Sequence, residues 1–163
     1  MTGMRLIVMR HATAVSGANL ATDHERPLTP RGTAEAVAVA RVLLARNWRP
    51  DRALVSDAAR TSETWWCMAS LLGEPASALL PSFYGAGVET IVSAVKRMDD
   101  TVKTVLVLGH NPGWSDAIGW LCGTQVRLAP AHAALLHVSG EQWTDGLGYG
   151  ALELEGVIGP TDP

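Results

Sequence analysis

The chain has 163 residues, a net charge of −3 and two cysteines, Cys67 and Cys122, far apart in sequence. That length suits one domain with a continuous core, so a single domain over residues 1–155 is expected, followed by a flexible glycine- and proline-rich tail over 156–163. The weakly acidic balance excludes broad attraction to nucleic acid or an anionic membrane, the cysteine spacing fits neither a zinc ribbon nor a redox pair, and the absence of a leader or spanning segment predicts a cytoplasmic protein.

Leu6-Ile7-Val8-Met9 is an apolar run that ends on Arg10-His11. It reads as a strand over Arg5 to Met9 delivering a guanidinium and an imidazole to a sheet edge, where open α/β sheets hold ligands. Thr13 to Leu28 follows, the longest stretch without periodicity, and its Asp23-His24-Glu25-Arg26-Pro27 cluster is placed to line or cover a pocket. Thr29-Pro30 opens the clearest helix, an N-cap followed by proline at the first helical position, running to about Arg46 with Val37, Ala40 and Leu44 on one face. A strand over Ala53 to Ser56 leads into a helix from Asp57 or Ala58 to Leu72, with Arg60 in its first turn and Gly73 as its stop. Trp65 and Trp66 differ by about 100° around that helix, so only one of them packs inward.

Glu89 to Met98 is a shorter amphipathic helix, and Thr104 to Leu108 a second apolar strand that ends at Gly109-His110-Asn111-Pro112-Gly113. Pro112 then opens a helix reaching Leu121. Ala133 to Val138 and Ala151 to Leu154 read as strands, with a strand pair expected between Trp143 and Leu154. Strands alternating with helices predict a three-layer α/β/α sandwich around a mostly parallel central sheet.

Two strands thus end on histidines, and a third presents an arginine. If Arg10, His11, Arg60 and His110 share one pocket, its natural guest is a phosphoryl group, because guanidinium forks match phosphate oxygens and helix N-termini add N–H donors. A neutral imidazole can attack phosphorus and carry the phosphoryl group covalently. Nearby guanidinium charge keeps the imidazole neutral. His11, directly after its strand and beside the small Ala12, is assigned as nucleophile, and His110 as the partner that stabilises charge on the phosphoryl oxygens. A metal site built from these histidines with Asp23, Asp57 or Asp116 is disfavoured, since two guanidiniums would repel the cation and no HExxH-type spacing occurs. Neither metal nor cofactor is expected. Trp114, just after the His110 turn, is a candidate for the pocket rim, while the other tryptophans are assigned to packing.

These blocks resemble the histidine phosphatase, or phosphoglycerate mutase-like, superfamily, and most closely its small SixA-like phosphohistidine phosphatases. The blocks are Leu6 to His11, Arg26-Pro27-Leu28-Thr29-Pro30-Arg31-Gly32, Ser56 to Thr64, and Gly109 to Gly113. The resemblance implies a phosphoglycerate mutase-like fold, His11 as the phosphorylated histidine, Arg10 and Arg60 as phosphate-binding arginines, His110 as the second pocket histidine, and no metal. Many relatives supply a general acid as a carboxylate from mid-chain, for which Glu89 is the candidate by location. The family commonly has glycine after Arg-His; Ala12 stands there in this chain and restricts the turn. The expected activity is metal-independent hydrolysis through a covalent phosphohistidine intermediate, with phosphohistidine on a protein as substrate. The alternatives are a small phosphate ester phosphatase, a phosphomutase, or a non-catalytic phosphate-binding signalling module.

Overall fold

Strand β1 (Met4–Arg10) has both faces buried, and its alternating side chains serve two separate cores. Met4, Leu6 and Val8 enter one core, Ile7 and Met9 the other. A continuous apolar run, rather than an apolar-polar alternation, is what a strand covered by helices on both sides requires. The structure, a computed structural model, describes residues 3–17 and 22–163. The same pattern recurs in β4 (Thr104–Gly109), where Val105 and Val107 join the first core and Leu106 and Leu108 the second.

The sheet has six strands in the order β3-β2-β4-β1-β5-β6. β2 (Arg52–Ser56), β3 (Ala76–Leu80), β4 and β1 run parallel, and only β5 (Ala133–Val138) runs against them, with β6 (Glu153–Ile158) pairing antiparallel to β5. Helices α1 (Pro30–Ala45) and α2 (Ala59–Ala69) cover one face, contributing Ala36, Val39, Leu43, Trp65 and Met68 to its core. The opposite face is covered by α3 (Val88–Lys96) and α4 (Gly113–Cys122), through Ile91, Val95, Trp114, Ile118 and Leu121. The expected three-layer, mostly parallel architecture is present.

This topology creates the site. β1 and β4 are parallel neighbours, paired Arg10 to Gly109 at their C-terminal ends, yet β1 leads to α1 on one face and β4 to α4 on the other. Where successive chains leave a sheet in opposite directions, a crevice opens at the strand ends. Thr29 caps α1 by accepting the Gly32 N–H at 3.0 Å, with Pro30 in the first turn as expected.

Several expected details change. The buried face of α1 is Gly32, Ala36, Val39, Ala40 and Leu43, with Leu44 exposed, so the helix is rotated from the Val37-Ala40-Leu44 stripe. Gly32 sets that phase: a Cβ there would collide with the Thr13 carbonyl. Trp65 is buried and Trp66 exposed, the expected division. β3 escapes sequence reading because it is short and exposed at all but Leu80, and only register with β2 makes it a strand. Trp143–Gly146 forms a short helical turn, α5, in place of the expected strand, anchored by the buried Trp143 ring donating to the Val102 carbonyl at 2.9 Å. β6 begins later than expected and runs to the buried Ile158, past the boundary set at residue 155; a pairing irregularity beside Leu135 and Leu136 lets Gly156 sit within the strand. Among the described residues no helix is long and apolar enough to cross a membrane.

Candidate active site

The crevice gathers the four expected side chains. The His11 and His110 ring centroids lie 5.4 Å apart, tilted by 54°. His11 sits just beyond β1, its N–H donating to the Gly109 carbonyl at 3.1 Å and its own carbonyl accepting from Ala131 at 3.0 Å. Its ring Nδ1 lies 2.7 Å from the Ala12 carbonyl, which can only accept, so Nδ1 carries the hydrogen and Nε2 keeps a lone pair. Ala12 is buried, its N–H donates to Thr64 Oγ1 at 3.1 Å, and it is absent from the positive-φ residues. The alanine therefore fits this turn without backbone strain.

Arg10 donates from Nη1 to the Leu128 carbonyl at 3.0 Å. Arg60, from the first turn of α2, donates from Nη1 to the Asp23 carbonyl at 2.8 Å and from Nη2 to the Asp23 carboxylate at 3.1 Å. His110 Nε2 meets Ser56 Oγ at 2.7 Å. Ser56 Oγ also accepts the Ala58 N–H at 3.4 Å and, as both donor and acceptor, can pair with either tautomer of the His110 ring. Arg10 Nε, Arg60 Nε and His110 Nδ1 are buried without a hydrogen-bond partner among the described residues. Buried polar atoms are costly to leave unpaired, and guanidinium forks are suited to an anion with several oxygens.

Burial and then the Arg60, Arg10 and Arg26 guanidiniums hold His11 down to about 4, against the upward pull of its bond to Ala12. His110 is lowered to about 3, first by burial, then by Arg60 and His11, with Asp23 opposing. Both rings are neutral at physiological pH. That charge state gives one imidazole nucleophilic capacity and leaves the other able to gain a proton when a dianion arrives.

No protein-family model matches the chain. An uncharacterised chloroplast protein of Arabidopsis thaliana is 34% identical over 171 residues, spanning 96% of this chain and 78% of its own. The solved structure of a protein assigned as the phosphohistidine phosphatase SixA of Nakamurella multipartitia is 30% identical and superposes at a TM-score of 0.82, covering 98% of this chain and 97% of that one. The chain belongs to the histidine phosphatase superfamily. Within it the chain is SixA-like, and the same TM-score of 0.82 relates it to a protein histidine phosphatase SixA solved with tungstate, at 23% identity over 96% of this chain and 97% of that one.

In this histidine phosphatase, two of the expected site residues make no bond with the pocket side chains. Trp114 is fully buried rather than on the rim: its indole N–H donates to the Val107 carbonyl at 3.2 Å and its ring meets Phe83 edge-on at 5.2 Å. It points beneath the sheet because the first turn of α4 faces the core. Trp114→Ala is therefore expected to cost about 3–5 kcal/mol of stability, read as a melting point lower by roughly 10 °C. Glu89 is exposed in the first turn of α3 and makes no hydrogen bond or ion pair with the pocket residues. The helix dipole accounts for its position.

Sequence reading named the Asp23 cluster as a pocket cover but did not identify how it acts. Asp23 bonds Arg60, Arg26 at 2.9 Å and the Tyr84 hydroxyl at 2.5 Å. The Tyr84 bond, followed by the Arg60 charge, holds its carboxyl well below the usual carboxylate range. Tyr84 stands edge-on to His110 at 5.5 Å and to His24 at 5.0 Å, and His24 in turn bonds Asp57 at 2.9 Å. Tyr84 reaches the site because Gly113 admits the Ala86 carbonyl where any Cβ would collide. No local pattern around Tyr84 announces this role, since the approach is made between segments distant in sequence. Residues 18–21 of the loop expected between Thr13 and Leu28 lie outside the described residues.

The depressed histidines make stability pH-dependent. The unfolded chain takes up protons on His11 and His110 near 6.5, whereas the folded chain resists until about 4 and about 3, so protonation favours unfolding as pH falls below 6.5. Imidazole proton resonances of both residues are expected to stay unshifted from pH 8 to about 5, while the melting point falls between about pH 6.5 and 4. A titration midpoint near 6.5 for either ring would contradict the buried, cation-flanked geometry.

Proposed function

We propose that this phosphatase hydrolyses phosphohistidine on proteins, without a metal, through a phosphoryl group carried by His11. The observation that carries the reading is the His11 ring itself: Nδ1 is tied to the Ala12 carbonyl, and the remaining Nε2 keeps an unprotonated lone pair down to about pH 4. Nε2 attacks phosphorus, the bond from phosphorus to the substrate imidazole nitrogen breaks, and the departing imidazole retains that electron pair and takes a proton from solvent water. Water then attacks phospho-His11, releasing inorganic phosphate and restoring the neutral ring. Arg10 and Arg60 bind the oxygens that gain charge, with the His110 ring, once protonated, as a third donor.

An imidazole leaves with less acid assistance than an alkoxide. The exposure of Glu89, the candidate acid, therefore favours a phosphohistidine over a phosphate ester as substrate. Clustered guanidiniums argue electrostatically against a cation in the same pocket. The reading assigns the chain one catalytic domain and a reducing, cytoplasmic setting, consistent with the free thiols of Cys67 and Cys122.

A rapid quench with radiolabelled phosphohistidine tests the covalent step. The labelled protein is expected to survive alkali, lose its label in acid, and yield labelled His11 on peptide mapping. An acid-stable label, a label on another residue, or turnover abolished by a chelator would overturn the proposal.

A further inference from the structure

One face of α4 lies open beside the catalytic crevice. Pro112, Ser115, Asp116, Gly119, Trp120 and Gly123 recur along it at three- and four-residue spacing and floor a groove of about 970 Å³. The groove begins at the pocket: Asn111 adjoins His110, and Asn111 Nδ2 and Arg10 Nη1 share the Leu128 carbonyl at 2.8 and 3.0 Å. Its far end is an exposed aromatic pair, Trp120 and Tyr149, edge-on at 5.6 Å. Gly150 donates to the Trp120 carbonyl at 2.8 Å and Leu152 to the Leu121 carbonyl at 2.9 Å, so the loop bearing Tyr149 is tied to the helix and the pair is preorganised.

The dimensions select the guest. From Pro112 to Trp120 the helix rises about 12 Å, the reach of roughly four residues of extended polypeptide. None of His11, Arg60 and His110 lines the groove, so a phosphoryl group held among them leaves it to another part of the substrate. Gly119 keeps the floor low, since a Cβ there would meet only the Thr124 carbonyl at 3.9 Å. Asp116, exposed midway, forms no ion pair among the described residues and offers a carboxylate to a basic side chain, while the exposed Arg127 on the same lining offers a guanidinium to an acidic one.

We infer that this groove docks the polypeptide flanking the phosphorylated residue, seating an apolar or aromatic side chain against Trp120 and Tyr149 and a lysine or arginine opposite Asp116. The inference rests on the phosphohistidine reading above and adds to it a specificity surface. Aromatic anchors of this kind dominate peptide affinity, while exposed charge pairs chiefly set orientation.

The test compares phosphoimidazole with phosphohistidine dodecapeptides carrying tryptophan and lysine at each position within four residues of the phosphohistidine, in an alanine background. One arrangement is expected to exceed the alanine peptide in kcat/KM by on the order of tenfold, the worth of one buried aromatic anchor. Trp120→Ala and, by filling the groove, Gly119→Met should erase that advantage through KM while phosphoimidazole turnover stays unchanged. Equal cleavage of all peptides, or variants that leave the preference intact, would overturn the groove. So would a dimer in gel filtration that Trp120→Ala converts to monomer, which would make the face a self-association surface. Anisotropy of labelled, unphosphorylated peptides on His11→Ala protein reads docking without turnover. Sequence-selective binding there with no phosphoimidazole hydrolysis by the natural chain would sink the catalytic reading and leave the groove standing; hydrolysis without selective binding would do the reverse.

Discussion

Replacing His11 with alanine should lower phosphohistidine turnover by about 10⁴-fold or more, the scale seen when a covalent nucleophile is removed. Inorganic phosphate and vanadate should still bind, because Arg10 and Arg60 keep their supports at the Leu128 and Asp23 carbonyls independently of the imidazole. Single-turnover kinetics beside equilibrium dialysis with labelled phosphate separates the two effects. Activity within tenfold of the natural chain would mean that another group attacks phosphorus.

Arg60→Gln is the second large effect, expected to reduce kcat/KM by about 10²–10³-fold, as loss of a preorganised donor to developing charge does. The guanidinium acts twice, as a cation of the crevice and by lowering the proton affinity of both histidines. Its removal should therefore also move both imidazole titrations upward toward 6.5, a signature that a purely structural defect would not produce. Asp23→Asn should act more mildly, because the backbone carbonyl of residue 23 still accepts from Arg60 Nη1. Activity in Arg60→Gln with unmoved histidine titrations would remove Arg60 from the electrostatic account.

The parts of the site legible in the sequence are those at which a periodic element stops on a chemically distinctive residue. β1 and β4 announce themselves as apolar runs, and Arg10, His11 and His110 follow their ends. Arg60 is legible because a first helical turn necessarily lies near the strand that feeds it. Trp114 misled for a related reason: closeness in sequence to His110 says nothing about which side of a turn a ring takes, and burial against Phe83 decided it. Ser56, Asp23 and Tyr84 acquire their roles from neighbours 54, 37 and 61 residues away in the chain.

By itself, then, the chain's order of residues determined the layered architecture, the strand ends that carry chemistry, and the oxyanion character of the site, because hydrophobic period and helix capping are local properties. Tertiary structure alone decided which histidine nitrogen remains free, how Arg60 is braced, the phase of α1, and the groove beside α4. Those features depend on contacts between segments whose approach is set by side-chain volume and by carbonyls meeting glycines, quantities that no local pattern contains.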